Sequence, residues 1–404
     1  VIRYDDAVAT ILGDVSVLPS QMVPLIEADG RVLASEVKAK LDLPRFDQSA
    51  MDGIGVRASD LKGASPKSPR SLSLTGEMPA GVGQRLKLGK MSAVKVFTGG
   101  MLPSGADAVV MKEDCCFENG MVTVTQAPSA GAHIRCRGEE LQRGMPLLPT
   151  GTAVTPAVIG LLAANGITSV RVTRQPRVTL ITMGDELLQQ GECLTQGKIH
   201  DANGPALMAA LHRSGVASAE HRYVSDDEDA LLAVMKQAQR DSDLVITVGG
   251  ASVGDYDHVN AVRQRLRVNE RFSRVAIKPG KPNVFGVAKN GTIMFGLPGN
   301  PVSALVSFLL FVRPALRAMQ GYTAKDQLNP RAVLDTPMFK KQGRLEWVRG
   351  TVRTEGDDLI ATPTQGQGSH MLSGLAAANV LIEFPADLAG INAGERVLVH
   401  LLGW

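Results

Sequence analysis

Aromatic residues are scarce in this chain. They make up 4% of its 404 residues, with Trp347 and Trp404 the only tryptophans, which argues against a surface for stacking nucleic-acid bases. An excess of one charge is lacking too. Forty-three Lys and Arg against 40 Asp and Glu leave a formal +3, too balanced to point to nucleic acid or a membrane surface as a partner. The four cysteines, Cys115, Cys116, Cys136 and Cys193, form no C-x-x-C, and the adjacent pair is poorly placed for a disulfide. Thiols in a reducing cytoplasm are the simplest expectation. The seven histidines contain no H-x-x-H or H-E-x-x-H pair, which argues against zinc. The most apolar stretch, residues 304–312, is too short to span a bilayer and reads as a buried helix. The opening VIRYDDAVAT has no signal-peptide pattern, and without an initiator Met some N-terminal residues are expected to be missing.

With 44% hydrophobic and 21% charged residues, the composition is that of a folded protein, and its length calls for two to four domains. Residues 4–12 read as a helix. Between residues 42 and 137 the chain is rich in Gly, Pro and Ser with short apolar runs (93–97 and 108–111), the pattern of a small β-rich domain. TPAVIGLLAAN (155–165) reads as a helix closed by Gly166. It is expected to pack back on the N-terminal helix, making the first domain discontinuous. From residue 178 strands (178–182, 217–224, 244–248) alternate with helices (205–211, 226–240, 259–266), which favours a doubly wound parallel sheet. Beyond residue 321 short β runs return (345–352, 380–384, 396–401).

Glycine-bearing loops dominate the central segment: ITMGDEL (181–187) with Gly184, VITVGGASVGDYD (245–257) with Gly249, Gly250 and Gly254, and FGLPGNP (295–301) with Pro298 and Gly299. Glycine lets backbone N–H groups close on an anion, and a following helix N-terminus adds partial positive charge. Ligands of such sheets sit beyond the carboxyl ends of the strands, where these loops belong. Ser252 adds a hydroxyl. Asn300 and Pro301 read as the N-cap and first residue of the apolar helix, a bland alternative that alone weighs about equally with ligand binding. IKPGKP (277–282) contributes Lys278 and Lys281 as point charges. Asp185 and Glu186 would repel a phosphate unless a divalent cation lay between them, and Mg²⁺ uses one or two carboxylates plus phosphate oxygens. By spacing alone Asp226 and Asp227 read as helix caps, with Ser225 and Glu228 forming a capping box, and Asp255 and Asp257 as dipole complements.

Taken in order, FDQSAMDG, VFTGGMLPSGADAVV, RCRGEEL, TMGDEL, GGASVGDYD, AIKPGKP, GLPGNPVSA and QGQGSH resemble the molybdopterin molybdenumtransferase family (MoeA type, similar to the C-terminal domain of gephyrin). The resemblance runs over nearly the whole chain. It implies an enzyme that takes adenylated molybdopterin and molybdate, with a divalent cation such as Mg²⁺, and yields molybdenum cofactor and AMP. It also implies an elongated cytoplasmic homodimer with its site where the two chains meet, and transient contact with the adenylyltransferase and apo-molybdoenzymes. The implied divisions are a discontinuous N-terminal domain (1–41 and 139–171), a β-rich insert (42–138), the α/β molybdopterin-binding domain (172–321) and a C-terminal β-barrel-like domain (322–404). By motif, Asp52, Thr98, Glu186, Asp226 and Asp257 match the family's functional polar positions, with Glu186, Asp226 and Asp257 the implied metal set. Lys278, Lys281, Arg349 and Ser369 match positions that hold the anionic ligand. Four departures stand out: Glu140 for Asp, GGAS for G-G-V-S, Gly204 where relatives often carry Arg, and MDGIGV without the aromatic beside Asp52. The alternatives are a molybdopterin adenylyltransferase and a catalytically degenerate dimeric scaffold.

Overall fold

Three apolar strands explain the centre of the molecule. The computed structural model describes residues 1–81, 86–189, 191–249, 258–323 and 329–403. Within it, Ser218–Val224, Arg177–Met183, Leu244–Val248 and Ile293–Leu297 lie side by side and parallel, and Val284–Val287 and Asn269–Phe272 extend the sheet antiparallel. LVITV and IMFGL are buried at every position, as strands covered on both faces must be. Alternate residues face opposite cores. Leu180, Ile246 and Phe295 join one cluster, which also takes residues of helices Asn203–Arg213, Pro301–Ser307 and Arg313–Met319. Ile181, Val245 and Met294 join the other, with residues of Glu228–Asp241 and His258–Arg265. The doubly wound expectation is borne out. The two edge strands, Ser218–Val224 and Asn269–Phe272, are polar and each buries only its last residue.

The apolar helix is longer than its most hydrophobic core suggests. Pro301–Met319 runs through a π-helical segment, Phe308–Val312. Its length and composition would suit a membrane, yet 78% of the apolar window is buried inside the protein, the state of a core helix.

Two β units flank this centre. In one, a six-stranded sheet runs Ala108–Met111, Gly53–Val56, Ser92–Val96, Arg70–Met78, Met121–Val124, Cys115–Glu118. In the other, Leu345–Glu355, Asp358–Pro363, Arg331–Leu334, Arg396–Leu401 and Val380–Phe384 close into a five-stranded barrel, because the last pairs back on the first. Closure leaves no free sheet edge. Ile277–Lys278, from the central segment, pairs with Leu345–Glu346 of the barrel. Trp347, 1% exposed, seals this seam with its ring 5.3 Å from Tyr4 and 4.6 Å from His400.

Ser20–Pro24 pairs with Ser169–Thr173, so the chain leaves and returns to one small unit. There one expectation fails. Helix Pro156–Ala164 packs on the turn Leu25–Glu27 and shares a core with Val23, Leu33 and Val172. The N-terminal helix Tyr4–Asp14 instead lays Ala7 and Ile11 into the central core, against Arg313–Met319. Its apolar face is matched to the long helix, a partner that local pattern does not reveal.

Candidate active site

Strand register brings the glycine loops together. Thr182 lies opposite Val248, Val248 opposite Leu297, and Met183 opposite Val224. Gly184, Gly249, Pro298 and Asp226 therefore emerge close together at the carboxyl ends of the parallel strands. They line a cleft of about 1130 Å³ together with Glu186, Gly299, Asn300 and Pro301. Gly249 has φ +89° and a Cβ there would lie 2.7 Å from the Met183 carbonyl oxygen, so only glycine suits the turn. A Cβ on Gly184 (φ +147°) would meet the Glu186 carboxylate at 2.6 Å. Glu186 is thus folded against its own loop.

Asp226 has a different partner from the one its spacing suggests. The N-cap of Glu228–Asp241 is Asp227, whose Oδ1 accepts the Ala230 N–H at 2.7 Å; the expected Ser225–Glu228 capping box does not form. Asp226 is left to reach across the cleft edge. Its Oδ2 accepts the Asp185 N–H at 3.2 Å, while Asp185 Oδ1 accepts the Asp226 N–H at 3.1 Å. Tyr223 donates to the Gly184 carbonyl at 2.7 Å, and its pKa is raised by burial and then by Asp185, Asp226 and Glu186. The mouth of the cleft carries a negative field, and among the described residues no basic side chain forms an ion pair with Glu186 or Asp226.

Asn300 occupies the N-cap position before Pro301, but its side chain does not cap. Its Nδ2 donates to Ser369 Oγ at 3.2 Å, and the Val302 N–H donates to the Ser369 carbonyl at 3.2 Å. Ser369 thereby brings the barrel's QGQGSH loop to the cleft, where His370 joins the lining. Lys278 and Lys281 are exposed, outside the lining, and Lys278 pairs with Glu346 at 3.1 Å across the seam. Arg349 is 1% exposed. Its Nη2 donates to the Gly366 and Gly368 carbonyls at 2.7 and 3.3 Å, and burial lowers its pKa. It holds the Ser369 loop from behind.

Asp52 and Thr98 lie elsewhere. Gly53 pairs with Val96 in the β-rich unit, so Asp52 Oδ1 accepts both the Thr98 N–H at 2.7 Å and its hydroxyl at 2.8 Å. Neither residue lines the cleft of its own chain. The Thr98 N–H, then its hydroxyl, hold the Asp52 carboxyl below its ordinary value. Its contribution to stability is therefore present above the ordinary value of 3.8 and lost as pH falls through the depressed folded value. Thr98→Val should raise the Asp52 pKa, read by NMR titration, without returning it fully, because the backbone N–H remains. Gly250, Ser252 and Asp257 lie outside the described residues.

Asn203, Tyr223, His200, His258 and His370 were missed by pattern. His200, which lines the cleft, and Tyr223, which bonds its Gly184 loop, sit on strands, where nothing in spacing marks them. Asn203, at the start of its helix, had a signal: a polar amide in DANG following a strand. It donates to the Gly299 carbonyl at 2.8 Å.

Three family models cover most of the chain in sequence order: the MoeA N-terminal region (domains I and II) matches residues 2–166, a probable molybdopterin binding domain 179–318, and the MoeA C-terminal region (domain IV) 331–402. Molybdopterin molybdenumtransferase 2 of Mycobacterium tuberculosis is 37% identical, covering 93% of this chain and 94% of its own. The chain belongs to the molybdopterin molybdenumtransferase family. The transferase of Haemophilus influenzae is 36% identical, with 95% of each chain covered. Two crystal structures of the molybdopterin biosynthesis MoeA protein of Pyrococcus horikoshii superpose with TM-scores of 0.83 and 0.86, at 32% and 30% identity, covering at least 99% of each chain. Family membership places the chain in molybdenum cofactor biosynthesis as an enzyme. The adenylyltransferase alternative is not favoured, since the matched regions extend on both sides of the molybdopterin-binding domain.

Proposed function

We propose that this enzyme inserts molybdate into adenylated molybdopterin with release of AMP, acting as a cytoplasmic homodimer whose site is shared between chains. The observation that carries this reading is the cleft itself, with its three glycine strand-ends beside Glu186 and Asp226. The backbone at Gly184, Gly249, Gly250 and Gly299, with Ser252, would cradle the pyrophosphate. Pro298, Asn300 and Pro301 would shape that wall, and Lys281, Lys278 and Ser369 would receive molybdate. Lys278 must first exchange its Glu346 partner for the anion. Asp52 and Thr98 would enter from the partner subunit.

The chemistry of the donor set fits Mg²⁺. Glu186 and Asp226 are hard oxygen donors in a negative field. Among the described residues no three His, Cys, Asp or Glu gather into a metal cage, and Mg²⁺ needs only one or two carboxylates when substrate phosphates complete its shell. Asp257 would be the third acid of this set. When bound, the cation neutralises pyrophosphate charge. The protein's own part is to fix the phosphoanhydride and exclude misplacement, positioning that accounts for much of phosphoryl-transfer catalysis. The pterin supplies the dithiolene, so no cysteine ligand is required.

Asp226→Asn should reduce AMP release at limiting Mg²⁺ by about 100-fold or more, with thermal melting unchanged, because among the described residues the carboxylate bonds only the Asp185 backbone N–H. Wild-type release by this variant at every Mg²⁺ concentration would remove Asp226 from the site. Transient contact with the adenylyltransferase and with apo-molybdoenzymes follows from the chemistry, since substrate and product are both handed between enzymes.

A further inference from the structure

Beneath the cleft wall, His221, Thr182, Asp201 and Gly204 make one continuous hydrogen-bonded set. His221 lies on the edge strand Ser218–Val224, and its Nε2 is 2.8 Å from Thr182 Oγ1. Thr182, 1% exposed, donates to Asp201 Oδ2 at 2.9 Å. Asp201 Oδ1 accepts the Gly204 N–H at 2.9 Å, in the first turn of helix Asn203–Arg213. The next side chain in the series, Asn203, donates to the Gly299 carbonyl in the cleft.

Proton counting sets the direction. An ionised carboxylate only accepts, so the single Thr182 hydroxyl proton goes to Asp201. The hydroxyl oxygen then accepts from His221, whose Nε2 must carry the ring proton. Burial pushes the His221 pKa down against the pull of Asp201, which keeps the imidazole neutral with that one proton. Gly204 is what lets the ring seat. A Cβ at this position would lie 2.2 Å from His221 Cε1 and 2.5 Å from Asp201 Oδ2. The absence of a side chain at 204 is matched by the ring that fills its place, so adding one there obstructs the wall.

We infer that His221 is a positioning residue for the transferase site: through Thr182 and Asp201 it fixes the start of helix Asn203–Arg213, and through Asn203 the Gly299–Asn300 loop that faces the substrate. The strut runs from the sheet edge to the loop whose Asn300 meets Ser369 of the barrel. Packing alone does not account for it, since an apolar side chain of similar size would fill the same space without donating to Thr182.

The test compares His221→Gln, whose amide N–H can replace the Nε2 donor, with His221→Leu, which fills space only. With adenylated molybdopterin, Mg²⁺ and molybdate, His221→Leu should raise KM about tenfold, the loss of one good hydrogen bond, with a smaller change in kcat. His221→Gln should stay within about twofold of wild type. Gly204→Ala should lower the melting temperature in the wild-type background and less in His221→Ala, where the ring clash is gone and only the Asp201 contact remains. Equal KM values for the Gln and Leu variants would overturn the inference, as would an equal melting penalty for Gly204→Ala in both backgrounds. The kinetic arm rests on the proposed transferase activity, so a second readout stands apart from it. In ¹⁵N-histidine spectra His221 should be the Nε2–H tautomer, with that resonance shifted by Thr182→Val. An inactive wild type with this tautomer would refute the activity and keep the strut; an active wild type with an Nδ1–H tautomer would do the reverse.

Discussion

Mixing chains that carry Asp52→Ala with chains that carry Asp226→Ala is expected to restore about a quarter of the wild-type rate, although each variant alone is inactive. Asp52 and Thr98 are joined to each other in the β-rich unit, and neither lines the cleft that holds Glu186 and Asp226 in the same chain. If the Asp52–Thr98 pair of one chain serves the cleft of its partner, half of a randomly mixed population is heterodimeric and each such dimer has one intact site of two. The measurement is AMP release after co-expression or subunit exchange, with each variant assayed alone as baseline. Activity that stays at the baseline, with heterodimers shown to form, would place Asp52 in its own chain's cleft or outside the chemistry altogether.

Arg349→Ala is expected to cost about 2–4 kcal/mol of stability and to weaken substrate binding at the same time. Its guanidinium is buried and committed to the Gly366 and Gly368 carbonyls, while its backbone N–H donates to Gln367 Oε1 at 3.1 Å. Removing it leaves a cavity and frees the loop that presents Ser369 and His370. Arg349→Lys should rescue little, because one ammonium cannot reproduce the planar fork. Chemical denaturation together with substrate titration checks this. A variant that melts like the wild type and loses only anion affinity would return Arg349 to the role of direct ligand.

The central sheet was legible because strands buried on both faces must be apolar throughout, as LVITV and IMFGL are. The cleft was legible for a related reason: Gly184, Gly249 and Gly299 each follow such a strand, and parallel register does the rest. Caps were less legible. Ser225, Asp226 and Asp227 are all acceptable N-cap types, and only the strand register of Val224 decides that Asp227 caps and Asp226 faces Asp185. Motif resemblance marked Arg349 and Lys278 but not their surroundings, since burial of one and the Glu346 partner of the other arise where the barrel meets the central sheet. Pairings of that kind join residues about 70 positions apart, such as Asn300 with Ser369, and no local pattern encodes them. Gly204 stands where relatives often carry Arg, and the structure adds that the His221 ring occupies the space of a side chain there.

The most direct test of the account is AMP release from adenylated molybdopterin with Mg²⁺, with and without molybdate, followed by transfer of the product to an apo-molybdoenzyme. The account predicts release that depends on molybdate and a reconstituted, active acceptor. Tight binding of the substrate with no molybdate-dependent AMP release and no reconstitution would contradict it, and would leave this chain a binding scaffold built on the same fold.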